Sequence, residues 1–470
     1  MTRRKPTATS NFGSGKRESH DASAFYGRFA APIVSDDDTI DPFKAVDALV
    51  CGDSRYMNRL SDASVALVVT SPPYFAGKQY EEAVGEGGIP ANYLEYLQLL
   101  EAVFAECVRV LEPGGRIAVN VANLGRKPYR SLSADVITIL QDRLGLLLRG
   151  EVIWRKAAGA TGSCAWGSFQ RPANPVLRDL TERVVIASKG RFDRPFPPAL
   201  RKKMGLPYEA TLTRDEFMEA TTDVWDIPPE SARRVGHPAP FPVELPERLI
   251  HLNTYVGDLV IDPFLGVGST AVAAVRTGRH YAGYDLDPAY VAAAQQRVDA
   301  TTRVERPAVA GVAASVAQAE GRSMGDFAAA VLADAGFRSV MKDRVVALRG
   351  ADSKGRTWQF AVIGALTSIR PGLRRVDDVW RAIAEATVAR AEDGLAPTPV
   401  VLLTTNVPTS GPGRDALRVA LAPGGPLTDV IDVLVGEDRA RLARWGRGDS
   451  DVELPAQLRM TARRGRARRS

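Results

Sequence analysis

Residues 257 to 298 read "GDLVIDPFLGVGSTAVAAVRTGRHYAGYDLDPAYVAAAQQRV", and the order of apolar, Gly-rich and helical segments in this stretch decides the fold. An apolar strand ends at Asp262, Gly266 and Gly268 follow, and a helix comes next. A second strand then ends at Asp285, before another helix. Strands that alternate with helices predict βαβ units in a parallel sheet, with a ligand at the carboxyl ends of the strands.

The two glycines and the second acid favour a nucleoside cofactor at these strand ends. Glycine lets the backbone approach a ligand closely, and the helix that follows presents free amides. An acid at the position of Asp285 can bind both hydroxyls of a ribose. A dinucleotide fits less well, because Ala271 lies near the position of the usual third glycine. A strand–helix turn that binds nothing can carry the same two glycines, so this loop alone leaves both interpretations open.

A second stretch, "VVTSPPYFAGKQY" from Val68 to Tyr80, ends an apolar strand with a hydroxyl, two prolines and an aromatic ring. Proline cannot donate to a β-ladder, so the strand must stop at Ser71. The Ser71 hydroxyl and the Pro72 carbonyl can accept hydrogen bonds from the exocyclic amine of a flipped base, and an exposed Tyr74 ring can stack on that base. A Pro-rich turn that packs an aromatic residue is the structural alternative.

The sequence between these two stretches predicts more strands and helices and one irregular segment. Apolar residues at helical spacing predict a helix from Tyr93 to Leu111, which "EPGG" should end before the strand "RIAVNVAN". A Gly-, Ser- and Pro-rich stretch follows Trp154, and with the strand "RVVIASKG" it predicts an insert over about residues 155–225.

The remaining sequence divides into further segments. Strands in "RVVALRG", "WQFAVIGAL" and "PVVLLTT" and a helix near "DVWRAIAEATVARA" predict a smaller α/β domain. Its strand pair resembles a restriction-endonuclease-like core, but it lacks the Glu-x-Lys that would hold a metal, so a DNA- or partner-binding accessory domain is predicted. The predicted segments are a flexible basic arm (1–40), a main domain (41–300), a linker (301–325), the smaller domain (326–455) and an Arg-rich tail (456–470).

The overall charge is +6, but it is unevenly distributed. The last twelve residues carry +6, the first twenty +4 and residues 155–204 +8, so the remainder of the chain carries −12. An acidic scaffold with three basic segments suits a polyanion partner, although the two tails can equally be solvated arms.

Other bulk features exclude several classes of protein. No apolar run reaches the length of a membrane span, and the basic N-terminus has no apolar stretch behind it, so a cytoplasmic protein is expected. Three scattered cysteines, Cys51, Cys107 and Cys164, predict neither a disulfide framework nor a metal cluster.

Together these motifs resemble the amino-group DNA methyltransferases that use S-adenosylmethionine. "TSPPY" resembles their catalytic tetrapeptide with its preceding Thr, and "DPFLGVGST" resembles their cofactor loop, with Val267 and Ser269 at unusual positions. "HPAPFPVELPERLI" resembles the segment that completes the methionine pocket, and the acid of "GDS" resembles the one that meets the adenine ring. The catalytic motif precedes the cofactor loop, which is the permuted order of the beta group, and the resemblance covers about residues 42–300.

The resemblance implies a Rossmann-like α/β sheet and the following roles. Catalysis falls to Ser71, Pro72, Pro73 and Tyr74. Cofactor contacts fall to Asp53, Thr70, Pro238, Phe241, Asp262, Pro263, Phe264, Gly266, Gly268, Ser269, Thr270 and Asp285. The segment between the two motifs implies target recognition, with DNA contacts at Arg155, Lys156, Trp166, Arg171 and Arg178.

The first residue of the tetrapeptide carries the expectation about the base. Ser71 resembles the cytosine-N4 enzymes, whereas Asp or Asn is usual for adenine-N6. A site-specific cytosine-N4 methyltransferase of double-stranded DNA is therefore implied, in a restriction-modification or defence context with a possible separate endonuclease. Adenine-N6 methylation of DNA or, less readily, RNA is the enzymatic alternative. A non-catalytic DNA-binding subunit is the other, and the intact motifs argue against it.

Overall fold

The computed structural model describes residues 33–41, 47–74, 92–123, 129–156, 170, 177, 180–212, 214–230, 241–302, 323–364, 372–373, 376–392, 398–449, 452–454 and 458. Within these residues the chain forms two β-sheets, one built before residue 300 and one after residue 323. Each sheet is described by itself. No helix in the described part of the chain is long and apolar enough to span a bilayer.

The first sheet contains β1 (Ala48–Cys51), β2 (Val65–Thr70), β3 (Leu111–Val121), β4 (Leu147–Arg155), β5 (Thr181–Ser188), β6 (Val224–Asp226), β7 (Leu259–Asp262) and β8 (His280–Asp285). Their order is β1-β8-β7-β2-β3-β5-β4-β6. Seven strands run in one direction, and β5 runs against its neighbours β3 and β4. We call the edge at which the seven strands end the carboxyl edge, and the opposite one the amino edge.

The helices of this part of the chain are α1 (Tyr93–Val110), α2 (Leu132–Ile137), α3 (Pro198–Lys203), α4 (Arg214–Ala220), α5 (Glu244–Asn253), α6 (Ser269–Thr277) and α7 (Pro288–Asp299). A π-helical turn, Thr138–Arg143, extends α2. The Asn92 side chain caps α1 by accepting a hydrogen bond from the Glu95 amide, as expected for an Asn before a helix. One face of α1 is buried against the sheet through residues such as Leu100 and Phe104.

The strand β2 lies at the centre of the sheet and determines where a ligand can bind. All six residues of "VALVVT" are buried, as expected for a strand covered on both faces. Its neighbours are β3 on one side and β7 on the other. The chain leaves β2 towards β3 but leaves β7 towards β8, so the strand order reverses between β2 and β7. Open α/β sheets bind ligands at such a switch point, beyond the carboxyl ends of the strands.

The expectation of a wholly parallel sheet was wrong at β5. Arg155 at the end of β4 pairs with Thr181 at the start of β5, so the chain re-enters the sheet at the same edge at which it left. A return at the same edge makes an antiparallel pair. The predicted insert over about 155–225 therefore contains a strand of the first sheet.

The expectation that "EPGG" separates a helix from the next strand was also wrong. The strand β3 begins at Leu111, directly after α1 ends at Val110, and it contains these four residues. Gly114 has a φ of 72°, and a Cβ atom there would lie 2.1 Å from the Asp193 carbonyl oxygen. Only glycine allows that close approach, so Gly114 permits the strand rather than ending it.

Much of the +8 segment lies at the amino edge of the sheet, away from the predicted site. Arg194 pairs with Glu112 at the start of β3 and donates two hydrogen bonds to Asp258, just before β7, at 2.6 and 3.0 Å. Arg201 in α3 lies 4.0 Å from Glu112 and 3.7 Å from Asp258. We call these four buried residues the arginine cluster. Buried arginines cannot contact DNA, so the net charge of this segment overstates its DNA-facing charge.

The second sheet contains β9 (Arg338–Lys342), β10 (Leu348–Ala351), β11 (Thr357–Val362), β12 (Val400–Thr404) and β13 (Asp429–Asp432). Its order is β13-β12-β11-β10-β9, antiparallel from β9 to β11 and parallel from β11 to β13. Its helices are α8 (Met324–Asp334), α9 (Val376–Glu392), α10 (Gly411–Ala420) and α11 (Gly436–Gly446). The structure confirms the strands predicted here and adds β9 and β13. In the described ranges no group of acids, His and Cys could hold a metal ion.

Candidate active site

The end of β2 meets two neighbouring strands at the carboxyl edge. Ser71 and Tyr74 follow β2, Asn120 lies near the end of β3, and Glu182 lies near the start of β5. Because β3 lies between β2 and β5, side chains from all three strands meet at this edge.

These side chains form a hydrogen-bonded group that we call the Ser71 network. The Tyr74 hydroxyl donates to Glu182 Oε2 at 2.9 Å, and Ser71 Oγ lies 3.1 Å from the same hydroxyl. Asn120 Nδ2 donates to Glu182 Oε2 at 2.5 Å and lies 3.2 Å from the Tyr74 hydroxyl. The Lys156 ammonium pairs with Glu182 Oε1. Within the network Ser71 is only partly buried, so a substrate can reach its hydroxyl.

The expectation of an exposed Tyr74 ring was wrong. Tyr74 is 7% exposed and packs in the main core of the sheet, because its hydroxyl finds the Glu182 carboxylate inside the protein. Burial, and then the negative charge of Glu182, raise the pKa of the Tyr74 hydroxyl well above its ordinary value. The hydroxyl therefore keeps its proton and remains a donor. Of the two prolines, Pro72 is buried and Pro73 is exposed.

Asp262, at the end of β7, organises the two motifs from beneath. Its Oδ1 accepts a hydrogen bond from Thr70 at 2.7 Å, and its Oδ2 accepts one from Thr270 at 3.0 Å. Its Oδ1 also accepts the Phe264 amide at 3.0 Å. Burial raises the pKa of Asp262 to about 6, and the three hydrogen bonds oppose that rise. Thr70, Asp262 and Thr270 are each 1% exposed, so they join the two motifs to each other.

Ser269 also bonds inside the protein, since its hydroxyl donates to the Phe241 carbonyl at 3.0 Å. Gly268 has a φ of 79°, and a Cβ atom there would lie 2.8 Å from the Ala294 Cβ, so this glycine allows α7 to pack closely. Pro263 is buried, whereas Phe264 is only partly buried. Among the predicted cofactor residues, the Phe264 side chain is therefore better placed to meet a ligand than Ser269 or Thr270.

Asp285 ends β8 beside the Gly-rich loop, where it fits a ribose. Its Oδ2 accepts the Gly266 amide at 2.8 Å, and its Oδ1 accepts the Asp287 amide at 2.9 Å. A carboxylate has about four lone-pair sites, so each oxygen keeps one for a vicinal diol. Burial raises the pKa of Asp285, which favours a site that offers it further hydrogen bonds. The residues present therefore fit a nucleoside.

Asp53 lies at the same edge, since the Gly52 amide bonds to the Asp285 carbonyl at 2.9 Å. Both Asp53 oxygens accept hydrogen bonds from the Arg55 side chain. Burial raises the pKa of Asp53, but the hydrogen bonds from Arg55 outweigh burial and hold it below its usual value. The carboxylate is thus ionised and fixed by Arg55 before any ligand binds.

The predicted DNA contacts divide into two sets. Arg155 pairs with Asp226 on β6, and Lys156 pairs with Glu182 and lies 5.5 Å from the Trp154 ring. Lys156 is therefore part of the Ser71 network rather than a free cation. Trp166, Arg171 and Arg178, and the predicted cofactor residue Pro238, lie outside the described residues.

Sequence reasoning missed Asn120 and Glu182. The first is a polar residue near the end of an otherwise apolar strand, "RIAVNV", at the carboxyl edge. The second opens the strand "TERVVIAS" at the same edge. A polar side chain in an apolar strand, close to a predicted site, was the signal that could have identified both.

Residues 65–296 match the model of the N6/N4 family, described as DNA methylase. The chain is 30% identical over 279 residues to the Type II methyltransferase M.MthZI of Methanothermobacter thermautotrophicus, covering 54% of this chain and 77% of that protein. It is 29% identical over 272 residues to the Type II methyltransferase M.MjaI of Methanocaldococcus jannaschii, covering 51% of this chain and 86% of that protein.

A solved structure with a similar chain is that of a DNA modification methylase from Thermus thermophilus, complexed with S-adenosyl-L-methionine. The identity is 30% and the TM-score 0.42, over 54% of this chain and 94% of that one. On the family match and the identity to its relatives, this chain belongs to the N6/N4 family of DNA methylases, which transfer methyl groups to DNA from S-adenosylmethionine.

Proposed function

We propose that this protein methylates the exocyclic N4 amine of cytosine within a specific sequence of double-stranded DNA. The observation that carries the proposal is the meeting of Ser71 and the Gly-rich loop at one switch point of the sheet. There Thr70 and Thr270 both bond to Asp262, so the two motifs share one support. A base held at Ser71 and a nucleoside held at Asp285 would lie at neighbouring strand ends.

The cofactor would supply an electrophilic methyl group, and the chain would supply the positions. Asp285 would hold the ribose, Asp53 would lie near the adenine, and the Gly266–Gly268 turn would lie against the methionine side. The proposal places no nucleophilic side chain in the reaction, because an exocyclic amine has its own lone pair. Ser71 then binds the amine and orients it.

The permuted motif order supports assignment to the beta group. The strand β2, which carries the tetrapeptide, precedes β7, which carries the cofactor loop, although the two are neighbours in the sheet. The chain between them contains the segment from Lys156 to Leu180, which leaves β4 and returns to β5 at the carboxyl edge. We assign target recognition to that segment, because it starts and ends beside the Ser71 network.

The choice of cytosine rests on Ser71 as the first residue of the tetrapeptide. The serine hydroxyl is neutral, whereas Asp or Asn is usual in the adenine-N6 enzymes that this chain otherwise resembles. We further propose that the second sheet belongs to an accessory domain, and that a separate endonuclease cuts the unmethylated sequence.

Analysis of the methylated nucleosides tests the function directly. Genomic DNA from a strain that lacks DNA methylases is treated with the protein and S-adenosylmethionine, digested to nucleosides and examined by mass spectrometry. The expected product is N4-methyl-2′-deoxycytidine, with N6-methyl-2′-deoxyadenosine no higher than after treatment with the Ser71→Ala variant. N6-methyl-2′-deoxyadenosine alone would establish the adenine alternative, and no methylated nucleoside would favour a non-catalytic subunit. Sequencing that detects modified bases would then give the target sequence.

A further inference from the structure

Glu182 lies at the buried end of the Ser71 network and takes no part in the motifs described so far. It is 6% exposed. One carboxylate oxygen accepts hydrogen bonds from the Tyr74 hydroxyl and from Asn120 Nδ2, and the other pairs with Lys156. The Tyr74 hydroxyl in turn lies 3.1 Å from Ser71 Oγ, so Glu182 is connected to Ser71 through a single hydroxyl.

The direction of these hydrogen bonds follows from counting protons. An ionised carboxylate only accepts, so the one proton of the Tyr74 hydroxyl must point to Glu182. The hydrogen bond between the two hydroxyls then needs the proton of Ser71. With its own proton directed to Tyr74, Ser71 Oγ can only accept towards any further partner.

We propose that Glu182 is a positioning residue that sets this direction, so that Ser71 Oγ is a hydrogen-bond acceptor for the exocyclic amine of the target base. An amine that donates one N–H to Ser71 is fixed in place with its nitrogen turned to the methyl donor. The inference rests on the proposed function only in needing an amine as the methyl acceptor. It holds equally for cytosine N4 and adenine N6, because both carry N–H donors.

The orientation of Asn120 agrees with this assignment. Its Nδ2 faces the acceptor Glu182, which turns its Oδ1 the other way. Among the described residues this buried Oδ1 has no hydrogen-bond partner. A buried acceptor without a partner is costly, so its presence near Ser71 indicates a site prepared for a donor such as an amine.

The substitution Glu182→Gln tests the direction with little change in shape. The Lys156 ammonium attracts the oxygen of the introduced amide, so the NH₂ group faces Tyr74. Tyr74 then accepts from that amide and donates to Ser71, which turns the Ser71 proton towards the base. The loss of an acceptor should slow methyl transfer about 10- to 100-fold, while calorimetric affinity for S-adenosylmethionine and the urea midpoint stay near those of the wild type.

The double variant Glu182→Gln/Lys156→Met separates this role from simple packing. Without the ammonium the introduced amide can turn its oxygen back to Tyr74. The double variant should therefore be faster than Glu182→Gln alone, by about threefold or more, although Lys156→Met alone should be slower than the wild type. Rates are measured as transfer of tritium-labelled methyl groups to DNA from a methylase-free strain, with enzyme in excess, so that weaker DNA binding does not enter.

The outcomes distinguish this inference from the proposed function. Wild-type speed in Glu182→Gln, or a double variant no faster than that single variant, would overturn the role of Glu182 while leaving the methylase assignment intact. Adenine as the methylated base would correct the proposed function and leave the inference standing. A wild-type protein that labels no DNA would overturn both.

Discussion

Two groups of polar side chains lie at opposite edges of the first sheet, and they differ in how completely their hydrogen bonds are satisfied. The arginine cluster at the amino edge is closed: its two acids face its two arginines, and all four side chains are buried. The Ser71 network at the carboxyl edge is open. Its Ser71 is partly exposed, and the buried Asn120 Oδ1 has no partner among the described residues. Closed groups stabilise the fold, whereas an open group keeps acceptors for a substrate.

The largest expected effect on activity comes from Ser71→Ala at the open edge. Removing the acceptor for the amine should lower the rate of methyl transfer about 100-fold or more. The free energy of unfolding should change little, because Ser71 is only partly buried. Single-turnover rates and urea unfolding check the two halves. An active Ser71→Ala variant would mean that the open network does not hold the substrate.

The largest expected effect on stability comes from Arg194→Met at the closed edge. It leaves Glu112 and Asp258 buried with only the more distant Arg201, so the free energy of unfolding should fall by about 3–5 kcal/mol. Arg143→Met is the matched control, since its pair with Glu101 is exposed and should contribute about 1 kcal/mol or less. Protein that remains folded should methylate DNA at nearly the wild-type rate. A loss of activity without a loss of stability would contradict the division between the edges.

Asp262, between the two motifs, should give a pH-dependent effect on stability. Its pKa in the folded protein is about 6, above the ordinary 3.8, so the folded state binds the proton more tightly than the unfolded chain. Its contribution is fully present below about pH 4 and is lost as the pH rises to 6. Relative to Asp262→Asn, which does not titrate, the wild type should lose roughly 3 kcal/mol over that range. Urea unfolding from pH 4 to 8 measures the difference, and a flat difference would show that the carboxylate is fully stabilised.

Asp285→Asn should affect cofactor binding rather than stability. The neutral amide keeps the shape but loses charge-assisted hydrogen bonds to a ribose, so affinity for S-adenosylmethionine should fall about 10- to 100-fold. Calorimetry measures it, with Asp299→Asn at the end of α7 as the control. Unchanged affinity would mean that Asp285 only supports the Gly266 loop.

The smallest expected effect concerns the basic residues near each edge. Arg171→Ala or Arg178→Ala, in the segment that starts and ends at the carboxyl edge, should reduce the ratio of specific to nonspecific DNA affinity by about 1–3 kcal/mol if either reads a base. Lys202→Ala and Lys203→Ala, exposed on α3 at the amino edge, should leave that ratio unchanged. Binding at fixed salt gives both values. A larger effect from the α3 lysines would place DNA at the wrong edge of the sheet.

The sequence allowed the main fold and both motifs to be predicted, because each motif is local in the chain. Gly266, Gly268 and Asp285 follow in order along one βαβ unit, and Ser71 ends an apolar run. Glu182 could not be assigned, because it meets Tyr74 across 108 residues through the position of β5.

The burial of charged residues was a second feature that the sequence did not reveal. Arg194 and Lys156 count as surface charge in a composition, yet each is paired with an acid of the sheet. Whether an arginine meets water or a buried carboxylate depends on contacts distant in sequence. The direction of β5 depends on the same kind of contact, because it is set by pairing with β3 and β4.

The pairing of β2 with β7 has a consequence for how the chain is made. Leu67 pairs with Val260, so about 190 residues must be synthesised after β2 before its partner strand exists. At 5–20 residues per second that is a wait of roughly 10–40 s on the ribosome. During this time one side of the most apolar strand in the sheet has no native neighbour, and such unpaired edges invite aggregation. The permuted order thus makes folding late and dependent on distant contacts, and the nascent chain cannot modify DNA until nearly all of its first 300 residues have emerged.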